Sequence, residues 1–378
     1  MKKQKGVATP LIILALVASL VLVFGLLVME KSRNFQSNLQ QEQQVTNSED
    51  IFEWRMATSW PKNFPGIGMG PENFATLVDR MSNGRLHIQV YGAGELVPAL
   101  GVFDAVSSGA VEIGHTGGYY NKGKIPAAPF FTAVPFGMNA QELHAWLNYG
   151  GGMEIWREIY EPFNIIPFPG GNTGVQMGGW FNKQINSLND LQGLKMRLPG
   201  IAGEVLQRAG GTAVNIPGGE LYTSMQTGVI DATEWVGPYN DRSFGLNEVG
   251  EYYYYPGWHE AGSMLEFEIN IDAWNRLPAD LQAIVEGASQ AINEDMLDEY
   301  TAQNAIVLQD LIADGTDIRP FPAEVLVELK AISVEYYEEE SEKDETFAEV
   351  YEHYWSFYEK VQAWHAISEL PLYLIREQ

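Results

Sequence analysis

Ala105-Val106-Ser107-Ser108-Gly109-Ala110-Val111-Glu112-Ile113-Gly114-His115 reads as the end of a helix, a glycine stop and a short strand that opens with an apolar pair and an acid. The same pattern returns at Ser224-Met225-Gln226-Thr227-Gly228-Val229-Ile230-Asp231-Ala232-Thr233-Glu234. In both copies the strand delivers polar or aromatic residues at its carboxyl end, where open α/β sheets bind ligands. Glycine-capped joins of this kind are common, so a single match leaves chance open. Two lobes facing one cleft is the more economical reading.

Around the first copy, strand and helix patterns alternate. Residues 52–59 are strand-like. Residues 71–82 place Phe74, Leu77, Val78 and Met81 at i, i+3, i+4 and i+7, a helical stripe that Asn83-Gly84 stops. Leu86–Tyr91 alternates as a strand does, 97–108 reads as a helix ending at Gly109, and 111–115 as a strand. Such alternation predicts an α/β protein with parallel or mixed sheets and helices on their faces. Residues 323–378 read as helix, with Phe347, Val350, Tyr351, Tyr354, Tyr358, Val361 and Trp364 at helical spacing beside the acidic run 338–345. That aromatic face either packs on the body or docks on a second subunit.

The amino-terminal end carries a different signal. Lys2, Lys3 and Lys5 precede an uncharged stretch from Gly6 to Met29, a basic region followed by an apolar run that marks export. The run is longer than an ordinary signal core, and Met29-Glu30-Lys31 offers no small-x-small cleavage site. About 20 apolar residues span a bilayer, so an uncleaved signal anchor competes with a cleaved signal over 1–29. The lysines keep that end in the cytoplasm and put the rest outside. Residues 30–50 are polar and rich in Gln, Asn and Ser, too poor in apolar surface to fold alone, and read as a tether.

Composition narrows the chemistry. With no cysteine in 378 residues, a disulfide framework, a thiolate zinc site and a cysteine nucleophile are excluded. The 49 acidic against 23 basic residues give a net charge of −26, which repels the phosphates of nucleic acid. An anionic ligand must then be held by a local basic group against the global field. There is no Gly-x-Ser-x-Gly, no phosphate loop and no His-Glu-x-x-His, and the six histidines lack ligand spacing.

Three segments resist explanation by packing alone. Gly171-Asn172-Thr173-Gly174-Val175-Gln176-Met177-Gly178-Gly179 is strand-like yet crowded with glycine, either a turn or a crossover between lobes. In Leu194-Lys195-Met196-Arg197-Leu198-Pro199-Gly200, Arg197 alternates with apolar neighbours at a strand end. Its guanidinium either makes a surface salt bridge or grips a carboxylate through two hydrogen bonds. In the third, Gly228 to Pro238, Glu234 stands on a predicted buried strand beside Trp235, and a buried carboxylate needs a partner, a proton or a metal. An oxygen-only donor set there suits a hard cation such as Na⁺ or Ca²⁺.

These segments, with Met56-Ala57-Thr58-Ser59-Trp60-Pro61 and Val106 to Gly114, resemble the solute receptors of TRAP (tripartite ATP-independent periplasmic) transporters from residue 51 to about 335. The resemblance implies a two-lobed periplasmic-binding fold, with Arg197 clamping the carboxylate of a small organic acid anion. Gln176 with Glu234-Trp235 resembles the subgroup that binds 2-oxo or 2-hydroxy monocarboxylates with a cation, implying Gln176, Glu234 and the Trp235 carbonyl as metal donors. Tyr119, Tyr120 and Asn121 match the tyrosine-bearing segment of the first lobe that faces the ligand. Implied boundaries are a first lobe over 51–174 with part of 260–320, a second lobe over 175–259 and terminal helices over 321–378. Implied partners are TRAP membrane subunits; a second copy of the chain, through the terminal helix, is the alternative that the aromatic face leaves open. The competing expectations are a metal-free receptor for a dicarboxylate or sugar acid, a secreted carboxylate-acting enzyme, and an anchored sensory domain.

Overall fold

The computed structural model of the chain describes residues 50–376, together with Met29 and Lys31. The signal or anchor over 1–29 and the tether over 30–50 fall outside the described residues, apart from Met29, Lys31 and Asp50. Among the described residues no helix is long and apolar enough to cross a membrane.

The body from Phe52 onward is built on two mixed sheets, as expected for the two-lobed fold. The strands are β1 (Phe52–Thr58), β2 (Leu86–Tyr91), β3 (Ile113–Thr116), β4 (Ile165–Asn172), β5 (Gly179–Phe181), β6 (Lys195–Arg197), β7 (Thr212–Val214), β8 (Ala232–Thr233), β9 (Tyr252–Tyr255), β10 (Met264–Asn270) and β11 (Asp317–Pro320). The first sheet has the order β2-β1-β3-β10-β4, with β10 antiparallel to both neighbours. The second has the order β11-β9-β5-β8-β6-β7, where β8, β6 and β7 run parallel.

The echo in the sequence is a real structural repeat. Gly109 (φ 72°) and Gly228 (φ 70°) both take the left-handed conformation that ends a helix. After each, the next amide reaches back to the same helical position: Ala110 to the Ala105 carbonyl at 2.8 Å and Val229 to that of Ser224 at 3.0 Å. The acids match as well. Glu112 accepts from the Arg55 amide of β1 at 2.9 Å, and Asp231 from the Lys195 amide of β6 at 3.0 Å. Each copy thus sets its strand, β3 or β8, parallel to a neighbour.

The chain passes between the sheets at β4 to β5, at β9 to β10, and from the 35-residue helix Ala279–Ala313 to β11. The first two passages run side by side: the Thr173 amide donates to the Ser263 carbonyl (3.0 Å) and the Gln176 amide to that of Glu260 (3.1 Å). The glycine-crowded segment is therefore a crossover, and its glycines are needed for close approach. The long helix extends about 50 Å at 1.5 Å per residue. It packs on β4, on helix Met69–Met81 and on helix Pro238–Ser243.

Two expectations shift. Residues 97–101 form turns, and the helix starts only at Val102, because Pro98 disfavours the helical region for Val97. The terminal segment divides at Asp344 into helices Ala323–Lys343 and Glu345–His365, then Glu369–Arg376. Phe347, Val350 and Tyr354 of its aromatic face are buried on the body, with Tyr354 against Trp146 and Phe130, so most of that face serves internal packing.

Candidate functional site

Arg197 ends β6 and is almost wholly buried, at 1% exposure of its side chain. Its Nη1 pairs with Glu234 Oε1, its Nη2 donates to the Tyr120 hydroxyl at 3.1 Å, and its Nε donates to the Ile216 carbonyl at 3.1 Å. The guanidinium also lies 5.1 Å from the centre of the Trp235 ring. A surface salt bridge is therefore the wrong reading of this arginine. Every bond it makes holds it facing the space between the lobes.

Glu234 follows β8 and is likewise 1% exposed. Its Oε2 has no hydrogen-bond partner, and neither has Gln176 Oε1. The Gln176 amide is fixed by its other end, where Nε2 donates to Thr173 Oγ1 and Ser263 Oγ, both at 3.1 Å. Two buried oxygen acceptors without donors cost stability unless something occupies the space they face. Burial raises Glu234 to about 8 against the pull of Arg197. It also raises Glu260 to about 7.

Glu260 and its neighbour His259 escaped the sequence reading. Glu234, His259 and Glu260 offer ligand atoms all within 4.8 Å of one another. His259 Nε2 lies 3.8 Å from Glu234 Oε2, and neither ring nitrogen has a hydrogen-bond partner. Both residues ride on the second crossover, opposite Gln176 on the first. The carboxylate oxygens of Glu234 and Glu260 gather at one buried point, and oxygen donors of this kind fit a hard cation such as Na⁺ or Ca²⁺. Asp241 escaped notice too. It accepts from the amides of Val236 and Gly237 (both 3.1 Å), from Trp180 Nε1 (3.1 Å) and from the Tyr253 hydroxyl (2.8 Å), and so fixes the turn that carries Trp235.

The first lobe contributes Tyr119 and Tyr120 from a short 3₁₀ turn, Gly118–Asn121. Both line the cavity with Arg197, Gln176, Trp235 and Trp60. Asn121 does not join them. With three residues per turn, its side chain leaves in another direction and donates to Glu268 Oε1 at 3.2 Å inside the lobe. Gly200 (φ 68°), just after β6, opens helix Gly200–Arg208, and a Cβ there would meet Tyr119 Cβ at 3.1 Å, so the lobes approach tightly at this point.

Residues 56–344 match the model of a family described as bacterial extracellular solute-binding protein, family 7. The chain is 49% identical over 317 residues to a monocarboxylate 2-oxoacid-binding periplasmic protein of Nostoc sp. strain PCC 7120, covering 84% of this chain and 87% of that one. A TRAP periplasmic solute-binding protein of Pseudoalteromonas atlantica, crystallised with sodium and pyruvate, superposes with a TM-score of 0.84 at 44% identity, covering 86% of this chain and 99% of that one. A Bordetella bronchiseptica TRAP solute-binding protein, a dimer with calcium and picolinate in one site, superposes with a TM-score of 0.85 at 39% identity, covering 87% and 100%.

Proposed function

Because this chain belongs to the bacterial extracellular solute-binding proteins of family 7, we propose that its cavity captures a small 2-oxo or 2-hydroxy monocarboxylate together with Na⁺ or Ca²⁺. The chain is an extracytoplasmic receptor of a TRAP transporter, and its partners are the organic acid and the membrane subunits. The observation that carries the ligand assignment is the buried Arg197–Glu234 pair beside two unpartnered oxygens, Gln176 Oε1 and Glu234 Oε2. Arg197 pairs with the ligand carboxylate, while Gln176, Glu234, the Trp235 carbonyl and Glu260 hold the cation. A bound cation offsets the repulsion between these acids and the anionic ligand. Tyr119, Tyr120 and Trp60 complete the wall from the first lobe. Since the lobes supply different groups, the ligand favours the closed state over the open one. The relatives that hold pyruvate with sodium and picolinate with calcium support this reading.

A dicarboxylate receptor would need a second basic group. Among the described residues lining the cavity, Arg197 is the only lysine or arginine, and burial keeps His259 neutral by lowering it to about 3. Capture without turnover is part of this proposal, and membership of a solute-binding family supports it.

Thermal unfolding with a panel of carboxylates in Na⁺, Ca²⁺ or chelator tests the assignment. At 100 times its Kd, a ligand adds about 2.7 kcal/mol. A raised midpoint with pyruvate- or lactate-like acids that vanishes in chelator supports the site. Stabilisation by dicarboxylates regardless of metal removes the cation from the assignment.

Two further parts of the proposal concern assembly. The helix Glu369–Arg376 leaves Leu370, Leu372, Tyr373, Leu374 and Ile375 exposed, an apolar surface suited to a second copy. Truncation after His365 should then convert a dimer to a monomer in light scattering. The run from Gly6 to Met29 anchors the receptor to the inner membrane, and resistance to alkaline carbonate extraction tests that.

A further inference from the structure

We propose that His115 is a positioning residue for ligand selection: it holds the Trp60 indole where that ring closes the cavity against Trp235, and so limits the size of the side chain that a bound 2-oxo acid can carry. The proposal rests on the carboxylate reading of the cavity. In the repeat, His115 stands where Glu234 stands in the second copy, near the carboxyl end of its strand. Unlike Glu234, it is not committed to the arginine or the cation cluster. Its imidazole is fully buried, yet both nitrogens are in use.

Trp60 Nε1 donates to His115 Nδ1 at 2.8 Å, and His115 Nε2 lies 2.7 Å from the Gly170 carbonyl. A carbonyl can only accept, so Nε2 carries the proton and Nδ1 is the acceptor. One neutral tautomer therefore satisfies both neighbours at once. Burial lowers the imidazole to about 4, which keeps that neutral form across working pH. Gly170 belongs to β4, so Trp60, which follows β1, is tied through His115 to another strand of the same sheet. Gly170 also makes room, since a Cβ there would come within 3.0 Å of His115 Cδ2.

The consequence lies at the cavity. Trp60 meets Trp235 of the second lobe edge-on, with ring centres 6.1 Å apart, and Tyr120 of its own lobe at 6.2 Å. The wall between the lobes thus depends on the orientation of one indole. Without the His115 acceptor, a buried indole N–H loses its partner, and the ring turns to recover one. That rotation opens the wall to larger substituents.

The test uses the full chain with Ca²⁺ and a graded series of pyruvate, 2-oxobutyrate and 2-oxovalerate, titrated calorimetrically into wild type, His115→Phe, His115→Gln and Trp60→Phe. Wild type should prefer the smallest acid. His115→Phe, which can neither accept nor donate, should weaken pyruvate roughly tenfold while the longer acids lose less, so the preference flattens or inverts. His115→Gln, with an acceptor and a donor, should restore it, and Trp60→Phe should resemble His115→Phe. In the ligand-free protein, the Trp60 indole N–H resonance should lose its hydrogen-bonded shift in His115→Phe and regain it in His115→Gln. An equal loss for all three acids, or an indole resonance indifferent to the Phe substitution, would overturn the proposal. If His115→Phe does not fold, Trp60→Phe and His115→Gln decide the same question. The wild-type titration alone decides the carboxylate reading: binding to none of the acids overturns that, while the indole resonance still judges the His115–Trp60 bond.

Discussion

Arg197 and Glu234 are joined in a buried ion pair that leaves Glu234 Oε2 without a partner, so the site holds its arginine in place without exhausting the acid. The arginine is braced from three sides by Glu234, Tyr120 and the Ile216 carbonyl. Such bracing fixes the guanidinium plane before a ligand arrives, which lowers the entropy lost on binding.

Arg197→Ala should weaken the carboxylate ligand by about 3 kcal/mol or more, since a desolvated anion is left unpaired. Arg197→Lys should recover only part of this, because an ammonium cannot present two parallel donors. Calorimetric titration measures both. Wild-type affinity in the Ala variant would contradict the site.

Gln176→Leu keeps the volume of the side chain and removes the unpartnered Oε1. Ligand stabilisation in this variant should become insensitive to chelator, as the cation loses a donor. A midpoint that still falls on chelation, by as much as in wild type, would remove Gln176 from the cation set.

Asp241→Ala strips the acceptor from two amides, an indole and a phenol at once. At roughly 1–3 kcal/mol for each buried donor left unsatisfied, the fold should lose about 3 kcal/mol or more. Denaturant unfolding reads the loss. Asp241→Asn, which keeps one acceptor oxygen, should lie between the two.

Part of the pH dependence of stability follows from two acids on β10. Glu266 and Glu268 are fully buried side by side. The Tyr160 hydroxyl lies 3.1 Å from both Glu266 oxygens, Asn121 donates to Glu268, and Lys124, whose charge acts on Glu268, pairs with Asp104 at 2.7 Å. Burial raises Glu266 to about 7, and burial and then the Glu266 charge raise Glu268 well above its ordinary range. A folded value above the unfolded one means that the folded protein keeps a proton that the unfolded chain has released. Their stabilising contribution is therefore complete below pH 4.5 and declines as pH rises through about 7. The unfolding midpoint of the ligand-free protein should fall over that window, and Glu268→Gln should flatten the fall. A flat wild-type profile would contradict retention of a proton by these acids.

Much of the fold was legible because periodicity reports burial on one face. Phe74 and Val78 mark the inner side of helix Met69–Met81, and Leu86, Ile88 and Val90 alternate inward on β2. The repeat was legible for a local reason: Gly109 and Gly228 end their helices through bonds only a few residues long. Residues 97–101 stay outside the helix because Pro98 disfavours the helical region for the residue before it.

The sequence by itself therefore carried the lobe-building units, the export signal pattern, and the resemblance from which Arg197, Gln176 and Glu234-Trp235 are expected to act as a set. Only the tertiary structure decided what completes the set. Glu260 and His259 reach the site because their crossover pairs with the one bearing Gln176, and no local pattern records that register. Asn121 turned inward to Glu268 for a similar reason, since a buried acid elsewhere in the chain claimed its amide. His115 found Trp60 across 55 residues of sequence. Contacts of this range are chosen by the closing of the whole chain, so the residues that make them carry no mark of it in their own neighbourhood.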